Sequence, residues 1–238
     1  MLRIEHLTKH YPGSDKGVTD LSLHIAQGDL YAFIGHNGAG KTTTLKAVAA
    51  IHDFEEGEIY VDGVSIKDEP IECKRRLAYI PDNPDLYEYL TGIQYLNFIA
   101  DVFGVGAQQR QERIEKYADA FEITASLGDL ISTYSHGMKQ KLAIISALVH
   151  QPKLLILDEP FVGLDPKAAV TVKEIMKQLC AEGGAVFFST HVLEVAEKLC
   201  NKVAIIKDGK IVVSGEMSDI VKPGQDLEAI FMEVAVND

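Results

Sequence analysis

Gly35-His36-Asn37-Gly38-Ala39-Gly40-Lys41-Thr42 stands between an apolar run, Tyr31 to Ile34, and a helical pattern from about Lys41 to Ala50. The spacing is G-x-x-x-x-G-K-[ST] in the context the motif requires, directly after a strand and directly before a helix. Glycines let the backbone N–H groups of such a turn face inward onto phosphate oxygens. Lys41 is then placed to meet the β- and γ-phosphate charge, and the Thr42 hydroxyl to hold Mg²⁺. The intervening His36, Asn37 and Ala39 and the following Thr43 belong to the same expected nucleotide pocket. A chain built around this turn is an α/β protein.

The order of elements agrees. Runs rich in β-branched and apolar residues recur at Leu30 to Ile34, Leu77 to Ile80, Leu154 to Leu157, Ala185 to Phe188 and Val203 to Ile206, mostly separated by helical patterns. That alternation predicts a largely parallel sheet covered by helices. Asp62-Gly63 and Asp208-Gly209 sit between short β-like runs and predict hairpins, which adds an antiparallel component. Between Asn83 and Gln151 the texture turns helical, with Met138, Leu142, Ile145 and Val149 on one face. The expected organisation is one domain over 1–238: a core at 1–82 and 152–224, a helical subdomain inserted at 83–151, and a short C-terminal tail at 225–238.

Leu154 to Leu157 ends in Asp158 and Glu159. A buried strand ending in two acids can place one carboxylate in the water shell of a metal and the next beside an attacking water. Asp158 is read as the Mg²⁺ partner and Glu159 as the general base.

Charge and composition narrow the function. The 238 residues carry a formal net charge of −12. Nucleic-acid binding draws on Lys and Arg neutralising phosphates, so no nucleic-acid partner is expected, and direct docking on anionic lipid is disfavoured too. The longest largely apolar stretch, Leu142 to Val149, is far below the roughly 18 residues of a membrane crossing. Met1 to Tyr11 alternates polar and apolar residues as a strand does, and lacks the apolar run of a signal peptide. Cys73, Cys180 and Cys200 form no CxxC pair and suggest reduced thiols. The reading is a folded cytosolic chain.

Tyr134-Ser135-His136-Gly137-Met138-Lys139-Gln140-Lys141 stands upstream of the acidic strand and resembles the LSGGQ signature of the ATP-binding-cassette (ABC) ATPases. Gly163-Leu164-Asp165-Pro166 looks like that family's D-loop, Ser189-Thr190-His191 like its switch histidine, and Tyr11 like the aromatic that stacks on adenine. The resemblance covers essentially the whole chain in the family's motif order. It implies a RecA-like phosphate-loop NTPase core with an antiparallel β component and the inserted helical subdomain. It also implies Mg-ATP as ligand, hydrolysis assisted by Glu159 and His191, and a head-to-tail homodimer or heterodimer in which the signature of one copy closes over the ATP of the other. Ser135, Gly137 and Asp165 are carried over as nucleotide-contacting positions on that basis. Ser135 also opens a helix, and free N–H groups at a helix N-terminus attract phosphate.

The chain departs from the pattern in three places. Asp82 follows Tyr79-Ile80-Pro81 where the family usually has glutamine; it is expected to sense the metal and nucleotide through water. His136 replaces a signature glycine and Met138 its glutamine. The resemblance further implies a separate transmembrane permease subunit, with the chain at the cytoplasmic face of the membrane. Tyr87, Tyr89, Tyr95 and Phe98 lie where the family receives its partner's coupling helix. The segment Asp226 to Phe231, with Leu227, Ile230, Phe231 and Val234 at helical spacing, looks like the ending of cassettes paired with exporter-type membrane subunits. The alternative is a soluble or regulatory cassette ATPase that drives no transport.

Overall fold

The computed structural model describes residues 1–13 and 16–236, so the last two positions of the expected tail lie outside the described residues. In chain order the elements are β1 (Leu2–His10), β2 (Gly17–Ile25), β3 (Leu30–Ile34), α1 (Lys41–Val48), β4 (Glu56–Val61), β5 (Val64–Ser65), α2 (Pro70–Arg76) and β6 (Leu77–Ile80). There follow α3 (Gly92–Val102), α4 (Ala107–Ala120), α5 (His136–Val149), β7 (Leu154–Asp158), α6 (Pro166–Ala181), β8 (Ala185–Thr190) and α7 (Leu193–Leu199). The chain ends with β9 (Lys202–Lys207), β10 (Lys210–Glu216), α8 (Met217–Ile220) and α9 (Leu227–Phe231).

The residues fall into two compact units. The first comprises Met1–Tyr79, Lys153–Pro160 and Met176–Asp238; the second comprises Ile80–Pro152 and Phe161–Ile175. The segment 83–151 lies wholly in the second unit, which also takes in the stretch after the acidic strand.

In the first unit, a six-stranded sheet runs β10-β9-β3-β8-β7-β6 and a four-stranded sheet runs β2-β1-β4-β5. β3 pairs in parallel with β8 and β9, and β7 with β8. Every residue of β3, β7 and β8 is buried, which is why these strands read as unbroken apolar runs: a parallel sheet is covered on both faces. β10, at the edge, instead alternates exposed and half-buried positions. Both expected hairpins form. At Asp62-Gly63 and Asp208-Gly209 the two turn residues all have positive φ, between 47° and 80°, the geometry that two-residue hairpins favour. The predicted fold class is therefore observed, a parallel core with a separate antiparallel sheet. Helix α1 stops two residues short of expectation, because Ala50 adopts φ 52° and ends it.

In the second unit, α5 packs against α3 and α4. The sequence predicts a single apolar face, but from Leu142 to Val149 the helix is buried all round. A helix that is apolar on every side is a core helix rather than a surface one. Among the described residues no helix is long and apolar enough to cross a membrane.

Candidate active site

The turn between β3 and α1 is shaped by contacts that only glycine tolerates. A Cβ on Gly35 would lie 2.5 Å from the Ile206 carbonyl oxygen, and one on Gly40 would lie 2.6 Å from Val18 Cγ1. Gly40 also has φ 112°, and as the residue before α1 it offers no side-chain cap. The first N–H groups of α1 are thus left uncapped by a side chain, the condition under which a helix start receives an anion.

Lys41 is buried, and its ammonium donates to the Gly35 carbonyl at 2.6 Å and the His36 carbonyl at 3.2 Å. Burial pulls its pKa below the ordinary lysine value, an effect that the charges of Glu159 and Asp158 oppose. The charges of two carboxylates at the end of β7 thus act on the loop's cation. Thr42 donates its hydroxyl proton to Asp158 at 2.6 Å. Ser189, fully buried at the end of β8, donates to the other Asp158 oxygen and accepts the Glu159 N–H at 3.0 Å. Glu159 itself has φ 49°, rare for a non-glycine residue, so the chain swings sharply as it leaves β7. Its carboxylate lies 2.9 Å from His191 Nδ1 and accepts the His191 N–H at 3.4 Å.

Lys41, Thr42, Asp158, Glu159 and His191 thus meet at the ends of adjacent strands in one unit. No motif in the sequence marks Ser189 as a bridge. Its only sequence signal is a small hydroxyl residue at the end of an apolar strand, just before Thr190-His191. A serine side chain that satisfies a carboxylate and an amide at once fixes the direction of both acids.

The donor set suits a hard divalent cation. Among the described residues no cluster of three or more His, Cys, Asp or Glu could cage a metal. Thr42 and Asp158 offer a hydroxyl and a carboxylate, which matches Mg²⁺, an ion that keeps several waters and phosphate oxygens among its ligands.

Tyr11, also in this unit, places its hydroxyl 3.3 Å from the Thr43 hydroxyl. Its ring has the Lys9 ammonium 5.8 Å from its centre and the His52 ring edge-on at 6.0 Å. Asn37 and Gly38 are exposed at the loop's crest, and Ala39 is buried beneath it.

The other expected positions lie in the second unit. Ser135 caps α5, accepting the Met138 N–H at 3.3 Å. The Asp165 carboxylate caps α6 through the Ala168 N–H at 2.8 Å and pairs with Lys141 at 2.7 Å. The Lys141 hydrogen bond holds Asp165 below the usual carboxylate range. A Cβ on Gly137 would lie 2.7 Å from the Gly163 carbonyl oxygen, and one on Gly163 would lie 2.3 Å from the His136 ring. The signature turn and the Gly163-Leu164-Asp165 turn are therefore in direct contact. Asp82 is exposed and accepts the N–H of its neighbour Asn83 at 2.9 Å.

A family model described as ABC transporter matches residues 18–162. The chain is 36% identical over 214 residues to the uncharacterized ABC transporter ATP-binding protein YhcH of Bacillus subtilis (strain 168), covering 89% of this chain and 68% of that one. Among solved structures, one described as the ATP binding subunit of an ABC transporter superposes with a TM-score of 0.93 at 32% identity, covering 98% of this chain and 99% of the other. The dimeric post-hydrolysis structure of the ATP-binding cassette MJ0796 bound to ADP and Pi shares the fold at 22% identity, with a TM-score of 0.82, covering 91% of this chain and 99% of that one.

Proposed function

This chain belongs to the ABC transporter family as an ATP-binding cassette, and we propose that it hydrolyses ATP to drive a separate membrane-spanning subunit, for export. The convergence of Lys41, Thr42, Asp158, Glu159 and His191 in one unit carries this reading.

The loop amides at the start of α1 and the Lys41 ammonium receive the β- and γ-phosphates, which take over the role now filled by the Gly35 and His36 carbonyls. Tyr11 stacks on the adenine. Thr42 and Asp158, with Asp82 through water, would hold Mg²⁺, and the ion would supply positive charge to offset that of the phosphate oxygens. Glu159 accepts a proton from the attacking water. His191 Nδ1 orients that carboxylate and, as a proton donor, offsets the charge developing beside it.

Ser135 and Gly137 at the start of α5, with Asp165 nearby, serve the nucleotide of a second cassette. The start of α5 suits an anion, and the likeness of this segment to the family's signature is the reason for reading the active form as a head-to-tail dimer. The MJ0796 cassette, dimeric with ADP and Pi, supports that arrangement by likeness of fold. Closure around two ATP molecules supplies the stroke.

A membrane subunit has a surface to engage. Tyr87, Tyr89 and Phe98 are exposed to 46%, 76% and 43%, and the Tyr87 ring lies within 6.1 Å of those of Tyr89, Tyr95 and Phe98. Clustered exposed aromatics suit a protein partner better than solvent. The chain then sits at the cytoplasmic face of the membrane through that partner.

The test is gentle solubilisation of native membranes, capture of this chain, and mass spectrometry of what accompanies it, with and without ATP. A reproducible polytopic membrane protein is expected. Recovery of soluble ribosomal or DNA-bound partners, or of the chain alone, would replace this reading by that of a soluble cassette ATPase.

A further inference from the structure

Among the described residues after β10, those from Asp226 to Ala235 form a packed element. Asp226 caps α9 by accepting the Ala229 N–H at 2.7 Å, and the Leu227 N–H donates to the Glu197 carboxylate of α7 at 2.8 Å. Leu227 and Phe231, four residues apart and so on one face, are both buried, and the turn after them rests on β9 and β10. Ala235 in that turn is buried as well, so the segment is held at both ends.

What Phe231 covers is the phosphate loop. Its ring centre lies 4.9 Å from that of His36, with the planes tilted by 54°. His36 is the residue whose carbonyl accepts from the Lys41 ammonium at 3.2 Å and from the Ala39 N–H at 3.1 Å. Its backbone thus helps hold the loop's cation, while its otherwise exposed ring is held from outside by α9.

We infer that Phe231 is a positioning residue for nucleotide binding: through the His36 ring it steadies the loop in the shape that receives phosphate. The inference rests on the reading of residues 35–42 as the ATP site. It assigns α9 a part in that site although no residue of α9 belongs to the motif. A loop whose amides must converge on one ligand binds less tightly when part of its support is removed, because the ligand must then order it.

The test compares the purified full chain with Phe231→Ala, Phe231→Tyr and His36→Ala variants, using a fluorescent ATP analogue and steady-state ATPase kinetics. An aromatic pair of this kind corresponds to about a threefold to tenfold effect on binding. Phe231→Ala is expected to weaken nucleotide binding and raise KM by that factor with kcat little changed. Phe231→Tyr should restore both. His36→Ala, on the exposed side of the same contact and not dependent on α9 folding, should weaken binding comparably, and the double variant should be no worse than the worse single variant. Met232→Ala, exposed on the same segment, should leave affinity unchanged. Wild-type affinity in Phe231→Ala and His36→Ala, even with a lowered melting temperature, would overturn the inference and leave α9 a purely structural element. Failure of the unaltered chain to bind the analogue would instead overturn the ATP-site reading itself, and Lys41→Ala serves as the separate control for that outcome.

Discussion

The Thr42 hydroxyl donates a 2.6 Å hydrogen bond to the Asp158 carboxylate, tying the first turn of α1 to the end of β7 across 116 residues of sequence. Both oxygens of Asp158 are occupied, one by Thr42 and one by Ser189, and the side chain is buried. A carboxylate so held is aimed before any ligand arrives. Asp158→Asn keeps the shape but removes the charge, so Mg²⁺-dependent phosphate release should fall by about a hundredfold or more while the fold is retained. Circular dichroism checks the fold and a coupled phosphate assay the rate; an unaltered rate would remove Asp158 from the metal site.

Ser189 is the hinge of the acidic pair. Replacing it with alanine leaves an Asp158 oxygen without its partner and the Glu159 N–H with only the backbone carbonyl of residue 189, now at 3.2 Å. The cost should be about 1–3 kcal/mol of stability, seen in chemical denaturation. Turnover should fall beyond what that loss of folded protein explains, because both acids lose their orientation. A variant that is destabilised but fully active per folded molecule would show that Ser189 serves stability alone.

The contact between His136 and Gly163 makes a prediction about the signature's departure from the family pattern. Gly163 has φ 77°, and a Cβ there would lie 2.3 Å from the His136 ring. Gly163→Ala should cost about 1–3 kcal/mol from overpacking and backbone strain together. In a His136→Gly background the overpacking part should vanish and only the strain remain. Denaturation of the single and double variants measures the difference. Equal costs in the two backgrounds would mean that the histidine ring moves aside freely.

What could be read from sequence and what could not follows the range of the interactions. The phosphate loop was legible because its chemistry is contiguous: eight residues specify a turn, a cation and a hydroxyl, and the flanking strand and helix supply the context. The parallel core was legible because β3, β7 and β8 are buried on both faces and so appear as uninterrupted apolar runs. The all-round burial of α5 was not, since Ser146 and the polar residues at its start suggest a single apolar stripe while the neighbouring helices that cover it lie elsewhere in the chain. Nor could spacing reveal that Ser189 bridges to Asp158, 31 residues away, or that Phe231 reaches His36. Such contacts depend on strand order, and strand order is a property of the folded sheet rather than of any local pattern.

We propose Glu159, aimed by His191, as the base for ATP hydrolysis. The direct measurement is single-turnover phosphate release from Mg-ATP by Glu159→Gln, beside nucleotide binding and light scattering of the same sample. Glutamine preserves the shape but cannot take the proton. Phosphate release should drop by about a hundredfold to ten-thousandfold, with ATP affinity retained and the protein accumulating as an ATP-bound dimer. Phosphate release at the rate of the unaltered chain would contradict the claim.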